Sequence, residues 1–227
     1  MLTAQEGEQL GQAWLEQALG EHASVAAFAR FVLHLISLGA PAELLRESIR
    51  AMDDEVRHAI TCFDIARRFR GKPAGPGPLD LSQVLNQPND SASILEAAIV
   101  EGCINETIAA QWVYVAASLA EDPVIREALS GIADDESRHA DLSWRFVSWL
   151  LKADGDSNVP IAKRCFALAM AEPAVTDPAD ASPQWMEKYG QLSQRTKEEV
   201  RERTWNDVIL PRMRTLLNLQ DDLLFES

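Results

Sequence analysis

The sequence has 227 residues, of which 47% are hydrophobic, and it carries a formal net charge of −14. A chain of this length and hydrophobic content can bury a substantial core, which excludes an intrinsically disordered protein. Its acidity repels phosphate backbones and anionic membranes, so we expect no nucleic-acid partner and no membrane partner. No apolar run is long enough for a bilayer span, no basic leader begins the chain, and the three cysteines lie in apolar stretches. These features favour a reduced, cytoplasmic protein.

Two long helical patterns come first in the chain. The first opens with the capping box Thr-Ala-Gln-Glu at residues 3–6 and extends to about residue 38. Glu21 is the only charged member of its apolar stripe, where a buried carboxylate needs a partner or a metal ion; a surface position is the alternative. A Gly-Ala-Pro turn leads to a second helix, predicted from about residue 41 to residue 70.

Residues 71–92 are rich in Pro, Gly and Asn and predict a long irregular connection. Such a loop is uncommon in a compact domain, but a crossover in a helical bundle explains it, because a crossover allows helices two and three to run parallel. The third helix is predicted from the capping box Ser-Ile-Leu-Glu at residues 93–96 to about residue 120. The fourth is predicted from Asp122-Pro123 to about residue 151.

One heptapeptide occurs twice in almost the same form. The second helix contains Asp-Asp-Glu-Val-Arg-His-Ala at residues 53–59, and the fourth contains Asp-Asp-Glu-Ser-Arg-His-Ala at residues 134–140. In each copy a Glu precedes a His by three positions, which places a carboxylate and an imidazole side by side on one helical face. A single pair of this kind is usually a solvated surface, but the recurrence indicates ligands for iron, manganese or zinc. The two copies therefore predict a two-metal site.

The whole helical hairpin is duplicated, since each half has a long helix with a Glu, a turn with Pro, and a helix with Glu-x-x-His. In carboxylate di-metal bundles, two helices each supply a Glu and two supply a Glu-x-x-His, all facing inward. Four carboxylates and two neutral imidazoles carry a charge that two divalent ions neutralise. The candidate metal ligands are Glu21, Glu55, His58, Glu101 or Glu106, Glu136 and His139.

Helix three offers two carboxylates, Glu101 and Glu106, which lie about 140° apart on an α-helix. Counted from the turn before helix four, Glu106 is level with Glu136, which favours Glu106 as a bridging ligand. The internal repeat instead aligns Glu101 with Glu21, so both remain candidates. If Glu106 is the ligand, we expect Glu101 to orient a ligating His or to relay protons.

Four further side chains are candidates for the surroundings of the metals. Asp54 and Asp135 immediately precede the motif Glu residues, and we expect them to accept the free imidazole N–H groups across the bundle; the alternative is an exposed helix acid. Cys62 and Cys103 are expected to be small core thiols, and a place in the lining of the metal cavity is the alternative.

The C-terminal part is less regular. A short helix is expected at residues 161–171 and an irregular loop at residues 173–183. An amphipathic helix is then predicted from the capping box at residues 196–199 to about residue 219, with a kink at Pro211.

The chain is predicted to form one domain over residues 1–227, with a bundle core at about 4–151 and a helical cover at about 158–227. On the last helix, Trp205 and Met213 are large, adaptable side chains suited to one wall of a substrate pocket. The alternative is that this helix only covers the core.

The order Glu, Glu-x-x-His, Glu, Glu-x-x-His over residues 10–151 resembles the ferritin-like di-iron carboxylate superfamily. The segments Glu-His-Ala-Ser-Val-Ala-Ala-Phe at residues 21–28 and Glu-Gly-Cys-Ile-Asn-Glu-Thr at residues 101–107 are similar to a group of bacterial ferritin-like-domain proteins. The resemblance implies an all-α, ferritin-like four-helix bundle with a long crossover between helices two and three and extra C-terminal helices. It also implies a pair of iron ions, with manganese and iron as the alternative pair, and O₂ as co-substrate.

The superfamily contains iron stores as well as oxygenases. The chain has no Cys-x-x-Cys pair for a rubredoxin-type domain, and a helical cover suits a substrate pocket better than an iron store. We therefore expect a non-haem di-iron oxygenase or oxidase that uses O₂ on a small organic substrate. Its catalytic residues beyond the metal centre are not identified, it needs a separate electron donor, and the chain is compatible with a homodimer. The alternatives are a ferritin- or rubrerythrin-like ferroxidase or iron-handling protein without an organic substrate, and an interaction protein that keeps the bundle without metal.

Overall fold

The computed structural model describes residues 2–154, 157–171 and 182–218. Every regular element in these ranges is helical, which confirms the all-α prediction. None of the helices in the described ranges combines the length and the apolarity that a membrane span needs. The elements are α1 (Ala4–Ser37), α2 (Ala42–Arg70), α3 (Ser82–Leu85), α4 (Ser91–Ala97), the π-helix π1 (Ala98–Glu106), α5 (Thr107–Leu119), α6 (Pro123–Ala153), α7 (Val159–Ala171), a 3-10 helix (Gln184–Tyr189), α8 (Gln194–Thr204), a second π-helix π2 (Trp205–Ile209) and α9 (Leu210–Leu216).

Three predicted helix ends are confirmed by their capping contacts. Thr3 and Glu6 form the expected capping box, in which the Glu6 amide lies 3.2 Å from Thr3 Oγ1. Gly71 ends α2 in the left-handed conformation, at a φ of 67°, which glycine adopts without the steric cost of a Cβ. The Asp122 carboxylate accepts two amides of the first turn of α6, and Pro123 begins that helix.

Two predicted helix starts are wrong by a few residues. The third helix begins at Ser91, because the Asp90 carboxylate lies 3.0 Å from the Ser93 amide and caps the helix earlier than expected. α8 likewise begins directly after Ser193, whose side chain accepts the amide of Thr196. In both cases an earlier Asp or Ser supplies the acceptor that the free N–H groups of the first turn require.

The four long helical segments pack as two neighbouring pairs. α1 packs along α2, the continuous segment α4–π1–α5 packs along α6, and α2 contacts α6. Two ion pairs give the direction of the last contact. Glu47 near the start of α2 pairs with Arg145 late in α6, whereas Arg68 at the end of α2 pairs with Asp122 at the start of α6. α2 and α6 therefore run antiparallel.

Two apolar clusters form the core, and the buried Glu and His residues of α2 and α6 lie between them. On α1, α2 and α6 the first cluster takes the residues on one side of the Glu and His positions, and the second cluster takes those on the opposite side. The segment α4–π1–α5 contributes residues from 94–108 to the first cluster and from 116–120 to the second. Cys103 belongs to the first cluster and Cys62 to the second, as expected of core thiols. Representative members are Phe28, Ala51, Ile99 and Phe146 in the first cluster and Trp14, Cys62, Ala116 and Ile132 in the second.

The described part of the C-terminal segment packs against both clusters through some of its side chains. Met213 lies in the first cluster and Met186 in the second, and Trp14 Nε1 donates a hydrogen bond of 3.1 Å to the Tyr189 carbonyl. Of the loop predicted at residues 173–183, only residues 182 and 183 are described. The helix end predicted at residue 219 also lies outside the described residues.

Pro211 is the second residue of α9, and α9 directly follows π2. A proline has no amide to donate, and its ring clashes with the carbonyl four residues earlier, here that of Asp207. The wider turn of π2, in which the Leu210 amide reaches the Trp205 carbonyl, accommodates this clash, so the predicted kink position is preceded by a π turn. Met213 is buried in the first core cluster and Trp205 packs against it, so these two side chains cover the core.

Candidate metal centre

The structure brings six of the seven predicted metal-site residues into one cluster. Its members come from α1, α2, the end of π1, and α6. Glu136 belongs to both groups of ligand atoms, and Glu101 belongs to neither. The two groups, in each of which the ligand atoms lie within 4.8 Å of one another, are Glu21, Glu55, His58 and Glu136, and Glu106, Glu136 and His139.

The imidazole of His58 faces the cluster with Nδ1 and faces away from it with Nε2. Nδ1 lies 3.2 Å from Glu136 Oε1, 3.6 Å from Glu21 Oε2 and 3.8 Å from Glu55 Oε2. Nε2 lies 3.1 Å from Asp135 Oδ2, on the opposite motif helix. His58 is therefore placed between a set of carboxylates and a single aspartate.

His139 has the same arrangement in the other half. Its Nδ1 lies 3.1 Å from Glu55 Oε1 and 3.4 Å from Glu136 Oε2, and its Nε2 lies 3.3 Å from Asp54 Oδ2. Each aspartate thus holds the histidine of the other motif, which confirms the role expected for Asp54 and Asp135. The crosswise pairing follows from the antiparallel run of α2 and α6.

Two buried nitrogen atoms test whether the cluster fits metal ions. The Nδ1 atoms of His58 and His139 are both buried and make no well-aligned hydrogen bond, although carboxylate oxygens lie 3.1–3.8 Å from them. Buried polar atoms in proteins are almost always hydrogen-bonded. Because each Nε2 is held by an aspartate, a neutral imidazole keeps its proton there and directs the Nδ1 lone pair at the carboxylates. A divalent cation held by these residues would satisfy both the lone pair and the carboxylate oxygens. The donor set of imidazole and carboxylate fits iron or manganese.

An Asp–Arg quartet surrounds the two Nε2 atoms. Arg57 pairs with Asp54 of its own motif and lies 3.2 Å from Asp135, while Arg138 pairs with Asp135 of its own motif and lies 3.1 Å from Asp54. Two positive and two negative charges balance each other there. We did not predict the two arginines, although their recurrence in the duplicated heptapeptide is a signal that points to them.

Glu55 and Glu136 are the carboxylates that face both imidazoles. Each presents one oxygen to His58 and the other to His139, at 3.1–3.8 Å. The predicted bridging ligand, Glu106, is grouped only with Glu136 and His139. Of the four carboxylates, Glu55 and Glu136 thus reach both histidines, whereas Glu21 is grouped with His58 and Glu106 with His139.

Glu101 and Glu106 lie at different places because of the π-helix that contains them. The Glu101 side chain is 51% exposed and pairs with Arg30 of α1, whereas Glu106 is directed into the cluster. A π turn closes its hydrogen bonds one residue later than an α turn, which displaces the helix from α-helical register. Gly102 permits a close approach of π1 to α6, since a Cβ at this position would lie 2.3 Å from Ser143 Oγ. π turns occur frequently at functional sites.

Burial and mutual repulsion shape the acidities of the carboxyl groups. Burial raises the pKa of Glu106 well above its usual value, and the neighbouring charge of Glu136 raises it further. Burial likewise raises the pKa of Glu21. For Glu136 burial acts in the same direction, but its contacts with His139 and His58 outweigh burial and hold its pKa below the usual value.

Without a metal ion, the carboxylates favour protonated imidazoles. Burial disfavours the charged form of His58, but the contacts with Glu136, Glu21 and Glu55 outweigh it and raise the pKa to about 12. Burial also disfavours the charged form of His139, but the contacts with Glu136 and Glu55 outweigh it and raise the pKa of His139 to about 9. A metal ion that binds at Nδ1 therefore displaces a proton from each ring.

Two cavities reach the cluster from different sides. A cavity of about 340 Å³ between α1, α5 and the C-terminal segment touches Glu21. A smaller cavity of about 50 Å³ between α1 and π1 touches Glu106, and the Arg30–Glu101 pair lines it as well. The first is large enough for a small organic molecule, and the second only for a few atoms.

No family model, no curated protein and no solved structure matches this chain. A helical chain with a buried group of Glu and His residues that can bind a metal ion is compatible with the ferritin-like resemblance. The functional conclusion therefore depends on the residues of the chain itself.

Proposed function

We propose that the chain is a ferritin-like di-iron protein that uses O₂ to oxidise a small organic molecule. The observation that carries the proposal is the pair of buried Nδ1 atoms that face four carboxylates without a hydrogen bond, with each Nε2 held by an aspartate. A divalent ion at each Nδ1 would pair the ring nitrogen and the carboxylates around it at the same time.

The packing supports a ferritin-like topology for this bundle. α2 runs antiparallel to α6, and α6 follows the segment α4–π1–α5 through a short turn and packs along it. α2 and that segment are therefore parallel, and the long connection between Gly71 and Asp90 carries the chain back between them. This is the connection that a ferritin-like bundle with one crossover requires.

Six side chains would hold the metal ions. Glu55 and Glu136 face both positions, His58 and Glu21 serve one side, and His139 and Glu106 serve the other. Their four negative charges balance two divalent ions, which is required in a buried site. The Asp–Arg quartet keeps the Nε2 protons in place, so that each ring has one defined tautomer.

When bound, a pair of iron ions supplies the redox chemistry with O₂, and the protein supplies position and exclusion of water. Hydroxylation of a C–H bond inserts one oxygen atom, releases the other as water, and consumes two electrons and two protons. We assign the delivery of these electrons to a separate electron donor, because the 227 residues hold no Cys-x-x-Cys pair for a second redox centre. The two apolar core clusters exclude water above and below the site.

A ferroxidase or iron-handling role is the second candidate. It is favoured by one observation, the half-exposed Glu101 carboxylate at the cavity that leads to Glu106, because surface carboxylates can pass Fe(II) towards a buried site. The two candidates differ in how much iron a chain retains. An oxidase keeps the two ions of its centre, whereas an iron store accumulates many ferric ions per chain.

The test is to load the full chain anaerobically with Fe(II), admit O₂ with a reductant, and measure iron retention, O₂ consumption and incorporation of ¹⁸O from ¹⁸O₂ into a pool of small organic compounds. The proposal predicts two retained irons per chain, sustained O₂ consumption and a labelled organic product. Absence of iron binding rejects the metal site. Accumulation of many ferric ions per chain, with no labelled product, assigns the iron-handling role instead.

A further inference from the structure

The larger of the two cavities at the cluster is lined mostly by residues that take no part in the metal site. It is about 340 Å³ in volume and extends from the metal-facing Glu21 to the C-terminal segment. α1 contributes Gln17, α5 contributes Trp112 and Val113, and the loop before α8 contributes Gln191. Gln191 Nε2 donates a hydrogen bond of 2.8 Å to Gln17 Oε1, which ties this wall to α1.

Among the described residues that line this cavity, Lys197 is the only cationic one. Its ammonium lies 5.7 Å from the centre of the Trp112 ring, and its carbonyl accepts a hydrogen bond of 2.9 Å from Trp112 Nε1. The indole thus fixes both ends of the lysine at the cavity wall. Lys197 forms no ion pair with any residue in the described ranges, so its charge is available to a ligand.

The acidic groups of the cavity are already engaged. Glu21 belongs to the metal cluster, and the Glu16 carboxylate is exposed and accepts a hydrogen bond of 2.9 Å from Gln12. Once metal ions neutralise the cluster, the cavity presents the Lys197 ammonium beside the apolar surfaces of Trp112 and Val113, and the Glu16 carboxylate is already engaged by Gln12. This pattern is complementary to a ligand with one negative charge and an apolar body.

We propose that this cavity binds a small organic acid, with its carboxylate on the Lys197 ammonium and its apolar body along Trp112 and Val113 towards Glu21. The inference rests on the proposed function, because it assigns the substrate class of the same cluster. The acid group is held at the far wall, and the apolar part of the molecule lies nearest to the metal ligands. Lys197 is therefore a binding residue that fixes the orientation of the substrate.

The experiment is calorimetric titration of the full chain, both metal-free and loaded with redox-inert Zn(II). The probes are hexanoate and 3-phenylpropanoate, each compared with the alcohol and the amine of the same skeleton. We expect one site per chain, with the acids binding at least about tenfold more tightly than the alcohols, since a hydrogen bond to a charged group has this effect. Lys197→Gln should remove this preference and leave alcohol binding unchanged.

Two further variants complete the design. Lys188→Gln is the matched control, because Lys188 is an exposed lysine of the same segment that pairs with Glu121 outside the cavity. Val113→Trp fills the cavity and should abolish binding of acids and alcohols alike. If Val113→Trp does not fold, the comparison of the two lysine variants is sufficient.

Several outcomes overturn the inference. These are binding of neither acid, tighter binding of the amines, and an equal loss in Lys197→Gln and Lys188→Gln. A chain that binds two irons and consumes O₂ but binds neither acid refutes the acid site and leaves the proposed function intact. A chain that binds the acids through Lys197 but takes up no iron refutes the proposed function and supports the acid site.

Discussion

The two halves of the duplicated hairpin agree in their motif helices and differ in their other helices. α2 and α6 carry Glu, His, Asp and Arg at matching positions. Across their interface, the Asp of each helix contacts the His of the other, and the Arg of each helix pairs with the Asp of the other. The partner helices use different means. Glu21 lies in the regular helix α1 with its side chain 13% exposed, whereas its counterpart in the repeat, Glu101, is 51% exposed. Glu106 takes the place beside the cluster instead.

The difference shows which side-chain positions the sequence repeat determines and which it does not. A Glu-x-x-His pair within an α-helix is placed by local geometry, so both copies arrive in the cluster in the same way. The carboxylate of the third helix depends on π1, whose hydrogen bonding displaces the residues before it from those after it. The motif residues of α2 and α6 are therefore placed symmetrically by the repeat. The carboxylates of the other two helices are not, because π1 changes the register of the third helix.

The largest effect is expected at the residue that both groups share. Glu136→Ala removes a carboxylate that faces both imidazoles, so bound iron should fall from two ions per chain to one or none. Elemental analysis after anaerobic loading measures this. Glu127→Ala, which removes an exposed acid from the same helix, is the control and should retain two ions. Full occupancy in Glu136→Ala would show that this residue holds neither metal.

The comparison of Glu106 with Glu101 tests the asymmetry itself. Glu106→Ala should weaken iron binding by about 100-fold or more, exceeding the loss caused by removal of an outer hydrogen-bond partner. Glu101→Ala should leave two irons bound, because its carboxylate pairs with Arg30 at the surface. Competitive metal titrations of the two variants decide the matter. The reverse order would mean that the repeat, and not the π-helix, locates the ligand.

Substitutions of Asp54 and Asp135 test whether α2 and α6 contribute equally to the metal site. Asp54→Asn and Asp135→Asn each remove the charge that holds an imidazole Nε2–H, and each should weaken iron binding by about 10–100-fold and to a similar extent. Asp53→Asn and Asp134→Asn are matched controls, because these neighbouring acids are exposed in the same heptapeptides. Affinities that differ strongly between the two halves, or controls that weaken equally, would contradict the crosswise arrangement.

The smallest effect concerns the metal-free protein. His58 contacts three carboxylates and His139 two, and the pKa values rise to about 12 and about 9 respectively. A raised pKa in the folded state stabilises the protein fully below the ordinary value of histidine, near 6.5, and this stabilisation is lost as the pH rises through the folded value. The metal-free chain should therefore lose thermal stability as the pH rises through about 9.

Thermal unfolding followed over this pH range measures the effect, and NMR of the imidazole nitrogens assigns it. His139→Gln should lack the change near pH 9, since the group that titrates is absent. If His58 loses its proton before His139, the number of facing carboxylates does not govern the difference between the two halves.

Much of the fold and of the candidate site follows from the sequence. The helices, the caps at Thr3 and Asp122 and the convergence of two Glu-x-x-His pairs follow from periodicity, capping chemistry and repetition, which are local properties. The π-helix does not, because residues 98–106 have no composition that distinguishes a π turn from an α turn. Its register depends on packing against α6 around Gly102.

The residues that line the larger cavity could not be predicted from local sequence patterns either. The amphipathic stripe of the last helix pointed to Trp205 and Met213, yet these residues pack into the core. The cavity is instead lined by Gln191 and Lys197, which the tertiary packing of the C-terminal segment brings against Trp112. Such contacts join residues far apart in the chain, and no periodicity within one helix reveals them.

The most direct test of the metal centre is an anaerobic titration of the intact, metal-free chain with Fe(II), followed by elemental analysis of the separated protein. Four carboxylates and two imidazoles, whose buried Nδ1 atoms face those carboxylates, predict saturation at two irons per chain. The protons released should rise with the iron bound, because each ring gives up its Nδ1 proton. Saturation at one iron, or no binding at all, would contradict a two-metal centre.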